Sequence, residues 1–263
     1  MESANTYWAD RALLEWYIDL GADEALEETP IDRYALNVPL EKPVQPVEKN
    51  PEISAPVVQA EPDAVAVATA AAEAAQDLGQ LAQVMQDFDL CELKRGAKSF
   101  VFCDGQPGAR VMVVGEAPGR QEDIAGKPFV GQAGQLLDKM LAAIGLDRAA
   151  QNLTDAVYIT NVMPWRPPSN ATPSPEEIAM MLPFLQRHIT LANPDVLVLM
   201  GNTPCQALLG RAGITRIRGT WAEAVGRPAL PMFHPAYLLR QTAAKREAWA
   251  DLLTLKARLK DAT

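Results

Sequence analysis

Cysteine is scarce in this chain: Cys91, Cys103 and Cys205 are the three among 263 residues, and no two stand in a C-x-x-C spacing. An odd, scattered set speaks against a disulfide framework and against a tetrahedral metal site, and it suits a reducing compartment. Histidine is rarer, with only His188 and His234. No run of about 18 apolar residues occurs, the length a membrane span needs. The N-terminus "MESANTYWADRALLEW" lacks the basic flank and apolar core of a secretion signal. The expectation is a soluble, cytoplasmic protein without membrane association. Three further signatures are missing: a Walker loop with its lysine, a G-x-G-x-x-G fingerprint and a G-x-S-x-G elbow. Their absence argues against a P-loop NTPase, a dinucleotide enzyme and a serine hydrolase.

What is present is unevenly charged. The formal net charge is −9, yet residues 1–90 hold 18 acids against 4 bases, whereas residues 91–263 hold 15 against 20. An acidic arm is joined to a basic domain, the asymmetry expected of a nucleic-acid binder. Residues 1–28 contain an amphipathic helix with Trp8, Leu13, Trp16, Tyr17 and Leu20 near one side. It either packs on the main domain or docks in the groove of a protein partner. Residues 29–75, acidic and rich in Pro and Ala, read as a disordered linker. A helix over about 71–87 leads into a folded domain assigned to 76–263, long enough for one substantial core.

Within that domain four apolar runs stand out: "RVMVV" at 110–114, "AVYITNV" at 156–162, "DVLVLM" at 195–200 and "ALPMF" at 229–233. Helical patterns separate them at 131–144, 175–192 and 203–210, with a last helix over 236–260. Ser174-Pro175-Glu176-Glu177 has the makings of a capped helix start. The alternation predicts an α/β fold, a three-layer α/β/α sandwich around a central, mostly parallel four-stranded sheet. Ligands of such sheets gather at the carboxyl ends of the strands.

Three of those ends carry polar residues that a packed core has no use for. The first opens into "GEAPGRQED" from Gly115, the second ends in Asn161 ahead of "WRPPSN", and the last gives "HPAYLLR" from His234. The remaining end, Gly201-Asn202, reads as a turn with a helix cap. On residue type alone Asn161 is a turn or cap residue, Phe129 is as readily a core aromatic as a binding one, and His188 falls on a solvated helix face.

The ordered set "GEAPGRQEDIAGKPFVGQAGQLLDKML", "YITNVMPWRPPSNATPSPEE" and "HPAYLLR" resembles the uracil-DNA glycosylase superfamily, and most of all its type-4 branch, over roughly residues 85–258. The resemblance implies an enzyme of base-excision repair that flips deoxyuridine out of DNA and hydrolyses its N-glycosidic bond. It assigns Phe129 to stacking on the base, Asn161 to its O4 and N3–H, and His234 to the charge that develops on O2. The backbone at Glu116 and Ala117 meets the base. Ala117 stands where other members carry a catalytic aspartate, which leaves Glu116 to position water or to stabilise the cationic sugar. Glu122 is assigned to screening C5 against a methyl group.

Arg120, Lys127, Arg166, Arg216, Arg218, Arg240 and Lys245 are candidates for phosphate contacts, and Tyr237, Leu238 and Leu239 for a wedge into the DNA. The chain also departs from its relatives. Of the four cysteines that hold their 4Fe-4S cluster only Cys91 has a counterpart; Phe88, Trp165 and Met180 or Met181 occupy the other places. No cofactor is therefore expected. The basic residue that ends "RPPxNR" is Ala171 here, and no basic insertion precedes "HPAYLLR", so turnover rather than covalent trapping is expected. A monomer acting on single- or double-stranded uracil DNA is the leading reading. A non-catalytic DNA-binding module of a replication or repair complex and a nucleotide-binding protein are the rivals.

Overall fold

A computed structural model describes residues 63–261. The amphipathic helix expected at 1–28 and the linker up to residue 62 lie outside them. The described helices, in chain order, are α1 (Ala64–Ala74), α2 (Leu78–Asp87), α3 (Leu93–Gly96), α4 (Arg120–Ala125), α5 (Gln132–Ala142), α6 (Pro175–Ala192), α7 (Asn202–Leu209), α8 (Ile214–Ile217), α9 (Pro235–Arg240) and α10 (Lys245–Asp261). The strands are β1 (Asp104–Gly105), β2 (Val111–Gly115), β3 (Val157–Asn161), β4 (Val196–Met200), β5 (Ala222–Ala224) and β6 (Arg227–Met232). None of the described helices is long and apolar enough to cross a membrane.

Helix α1 falls where the linker was expected to end. Its alanine-rich sequence has high helix propensity, and Asp63 caps it, accepting from the backbone N–H of Val65 at 3.0 Å and of Ala66 at 3.2 Å. Ala68 and Ala72 are buried as α1 packs on α6. Arg187 of α6 closes the other end by donating to the carbonyl of Ala75. The single helix expected over 71–87 is interrupted because Ala75 is extended and Asp77 begins α2 with its own cap.

The sheet order is β1-β3-β2-β4-β6-β5, with the four central strands parallel and both edge strands antiparallel to their neighbours. The four central strands are those expected. The edges went unseen because "DG" and "AEA" are too short to carry a hydrophobic pattern. Every residue of β2, β3 and β4 is buried, as both faces of a parallel sheet are covered. Met112, Val114 and Tyr158 face one apolar cluster with α1, α2 and α6, whereas Val111, Val113 and Ile159 face the other with α5 and α10. Each such side chain contributes roughly 1.5–3 kcal/mol of burial.

Other local expectations fare unevenly. Ser174 and Glu177 form the capping box of α6. The expected final helix is divided into α9, a short 3-10 turn and α10. Arg218, expected at a phosphate, is instead a tie within the fold. Its Nε donates to Asp251 at 2.8 Å and its Nη2 to the Glu247 carbonyl at 2.7 Å. Asp251 is buried, and an unpaired carboxylate there would be costly.

Candidate active site

The register of the central strands sets Gly115 beside Asn161, so the ends of β2 and β3 are level. The chain beyond β3 is then stitched to the loop beyond β2, Val162 N–H donating to the Gly115 carbonyl and Met163 N–H to that of Glu116. Gly115 is required here by close approach: a Cβ would lie 2.3 Å from Asn161 Oδ1 and 2.5 Å from Phe129 Cε2. The carboxamide and the ring edge therefore meet over bare backbone.

Phe129 reaches that place with φ at +53°, a conformation that L residues rarely adopt. Its surroundings hold it there. Arg148 donates to the carbonyls of Pro128 at 3.0 Å and Phe129 at 2.9 Å, and is itself paired with Asp104 and Asp138. Gly134 leaves room for the bend, since a Cβ at that position would sit 1.8 Å from the Phe129 carbonyl oxygen. On its other side Phe129 faces His234, the ring centroids 5.4 Å apart and 29° from parallel.

Asn161, Phe129 and His234 line one cavity of about 590 Å³, together with Glu116, Ala117, Glu122, Tyr237 and Arg240. His234 caps α9 by accepting from the N–H of Ala236 at Nδ1, 3.1 Å away. Burial, assisted by the Arg240 charge and opposed by Glu122, lowers its pKa to about 4. At neutral pH the ring is uncharged, and with Nδ1 accepting, its proton is carried on Nε2.

The carboxylates of the "GEAPGRQED" loop are put to three different uses. Glu116 lines the cavity and accepts from the Thr203 hydroxyl. Glu122 accepts at Oε1 from the N–H groups of Val130 at 3.0 Å and Gly131 at 2.8 Å, which closes the start of α5. Asp123 is buried and accepts from Lys98 and Ser99 N–H, tying down the preceding segment. A flat ring, an amide offering both donor and acceptor, a neutral imidazole donor and a carboxylate suit a planar heterocycle that leaves a sugar carbon with negative charge.

The sequence profile of the uracil DNA glycosylase superfamily matches residues 102–253, which span all these corners. The chain belongs to that superfamily. It is 40% identical over 153 residues to the type-4 uracil-DNA glycosylase of Thermotoga maritima, covering 57% of this chain and 77% of that one. To the type-4 uracil-DNA glycosylase of Pyrobaculum aerophilum it is 36% identical over 190 residues, covering 67% and 91%. A DNA polymerase of Bacillus phage SP01 is 33% identical over 137 residues, 52% of this chain but 14% of the polymerase.

Within this superfamily fold the remaining candidates separate. Tyr237 and Arg240 line the cavity; Leu238, expected as part of a wedge, is 1% exposed and belongs to the core beneath α9. Leu239 is the exposed leucine of the pair, at 42%. Arg166 donates through Nε to Asn170, which itself lines the cavity. Arg120 is exposed at the start of α4 and is not among the lining residues. Lys127 is paired with Asp104 at 3.1 Å.

His188 is not on a solvated face; it is 1% exposed within the core. The corner Gly201-Asn202 also differs from its reading, because Asn202 caps the following helix α8 through Gly213 and Ile214 rather than its own. Thr203, buried and bonded to Glu116, is a site residue that no sequence motif marks. The available signal was a polar β-branched residue in the first turn after a buried strand of a parallel sheet.

The places where relatives hold a cluster can be tested against their donors. Phe88, Cys91, Trp165 and Met181 lie in the same apolar cluster, Phe88 edge-on to Phe184 at 5.2 Å. Cys91 is the single thiol among them, and burial raises its pKa. One suppressed thiolate does not fit an iron-sulfur centre. Among the described residues no group of three or more His, Cys, Asp or Glu could hold a metal ion.

Proposed function

We propose that this domain is a uracil-DNA glycosylase that hydrolyses the N-glycosidic bond of deoxyuridine in DNA. The observation that carries the reading is the convergence of Asn161, Phe129 and His234, from distant parts of the chain, on one cavity at the strand ends. The names of the type-4 relatives support it.

In this reading the flipped base stacks on Phe129. The Asn161 carboxamide donates to uracil O4 and accepts from N3–H, a pattern that cytosine reverses. Water adds to C1′ of the sugar as the bond to N1 breaks, and the electron pair leaves on the base. His234 Nε2–H meets the charge on O2, a neutral donor being suited to an oxyanion. Glu116 holds the water and stabilises the cationic sugar, and the remaining water proton passes through its carboxylate to the uracil anion or solvent. With its Oε1 bound to two amides, Glu122 screens C5 by bulk and position. Arg120, Arg166 and Arg240 contact phosphates, and Tyr237 with Leu239 fills the gap left by the base. No step passes through a metal; an iron and sulfide assay finding a stoichiometric cluster would revise this. A cytoplasmic location belongs to the same proposal, in keeping with three free cysteines.

The test uses the full chain and a labelled strand containing one deoxyuridine, developed with alkali. Cleavage above a uracil-free control is expected, and Asn161→Asp lowers it by about 100-fold or more, as loss of a charge-stabilising or base-reading donor does. The phage polymerase relative favours a second reading, a non-catalytic module of a replication complex. Absence of any cleavage, with uracil DNA still bound, would select it.

A further inference from the structure

We infer that Thr203 is a positioning residue for Glu116, and that the Gly201-Asn202-Thr203 corner of β4 is a fourth working strand end of the site. The inference rests on the role proposed above for Glu116 and adds what aims that carboxylate. Thr203 is 3% exposed, in the first turn of α7, and its hydroxyl donates to Glu116 Oε2, 87 positions away in the chain. It is the one hydrogen-bond donor to the Glu116 carboxylate among the described residues.

The chemistry of that arrangement is directional. A buried hydroxyl is costly unless bonded, and a β-branched side chain has few rotamers, so Thr203 holds its donor in place. A carboxylate anchored through Oε2 keeps its plane fixed and leaves Oε1 to receive water or face the sugar. Glu116 stands on a loop beyond a strand, where an unanchored side chain would lose orientation as it turns. The same corner also comes close to His234. Gly201 has φ at +94°, and a Cβ there would lie 3.3 Å from His234 Cβ. Asn202 accepts from Gly213 and Ile214 N–H, holding Ile214 at the cavity wall. One turn of chain thus bonds the acid at Thr203 and lies close to the histidine at Gly201, acid and histidine both at the lining of the same cavity.

Single-turnover excision from a uracil-containing strand, read beside the Kd for that strand, tests this. Thr203→Val is expected to slow excision by about 10- to 100-fold, the range carried by a hydrogen bond to a charged group, with Kd and melting temperature little changed. Thr203→Ser restores most of the rate, since it returns the hydroxyl. Thr203→Ala gives the same loss if the valine variant does not fold. In the Glu116→Gln background, Thr203→Val adds little, because the two act as a unit.

Multiplied losses in that double variant, or full activity in Thr203→Val with Glu116→Gln slow, would overturn the inference and leave the glycosylase reading standing. An unchanged rate in Glu116→Gln would instead remove the role of Glu116 itself.

Discussion

His188 and His234 are both kept neutral by burial, yet one is part of the core and the other lines the cavity. His188, on α6, stacks on Phe102 with ring centroids 4.3 Å apart and shares a 2.8 Å hydrogen bond with the Tyr158 hydroxyl through Nε2. Burial lowers its pKa to about 3 and raises that of Tyr158. His234, at the end of β6, has Nδ1 engaged by a backbone N–H and no protein partner at Nε2 among the described residues. Neutrality does not distinguish them. What does is whether an uncommitted polar atom lies beside the cavity: His188 is bonded through Nε2 within the core, and His234 keeps a donor at the cavity for a ligand.

The largest effect that this comparison predicts is on catalysis. His234→Ala should lower single-turnover excision by about 100- to 1,000-fold, the effect of removing one oxyanion donor, while the melting temperature changes little. His188→Ala should do the reverse. It removes the imidazole partner of Tyr158 and opens a cavity under Phe102, costing roughly 2–4 kcal/mol in denaturant unfolding, with the rate per folded molecule retained. A His188 variant that folds normally but loses excision would erase the distinction.

The sequence made one of these histidines legible and hid the other for a physical reason. His234 follows an apolar strand and precedes a proline that starts a helix, so its position at a strand end could be read. His188 lies in "LQRHITLA", where Arg187 and Thr190 gave a polar impression; Leu185, Ile189 and Ala192 share its buried stripe. The four central strands were legible because burial on both faces makes continuous apolar runs. Thr203 and the amide partners of Glu122 were not, since composition and spacing never name the partner that satisfies a polar atom; Leu238 was not, because a helix as short as α9 shows no period that tells its buried leucine from the exposed Leu239 beside it. The same limit explains Arg218, whose positive charge suggested a phosphate and whose partner Asp251 is 33 residues away.

A smaller effect concerns pH and stability. Both histidines have folded pKa values below their ordinary 6.5, at about 4 and about 3, so between those values and 6.5 the unfolded chain binds more protons than the folded one. Stability is therefore fully present above about pH 6.5 and declines as pH falls toward 4. His188→Leu, whose side chain does not titrate, should flatten this decline when unfolding free energy is followed from pH 7 to pH 4.5. An equally steep decline would mean that His188 is not neutral in the fold.

The smallest effect sharpens the difference between the two rings. Arg240 is a like charge that adds to burial in lowering the pKa of His234, and burial alone accounts for the shift in His188. Arg240 is exposed, so solvent screens it and its share is modest. Arg240→Gln should move the acid limb of the excision rate upward by less than about one pH unit, since a full unit requires about 1.4 kcal/mol of differential interaction. The pH dependence of unfolding that belongs to His188 should not move. Phosphate contact by Arg240 would appear separately, as a slope of log affinity against log salt shallower by about 0.7 to 0.9. The acid limb is measured at saturating enzyme, where weaker binding cannot imitate it. If the limb stays in place while the salt slope falls, Arg240 serves the DNA alone and burial by itself keeps His234 a neutral donor.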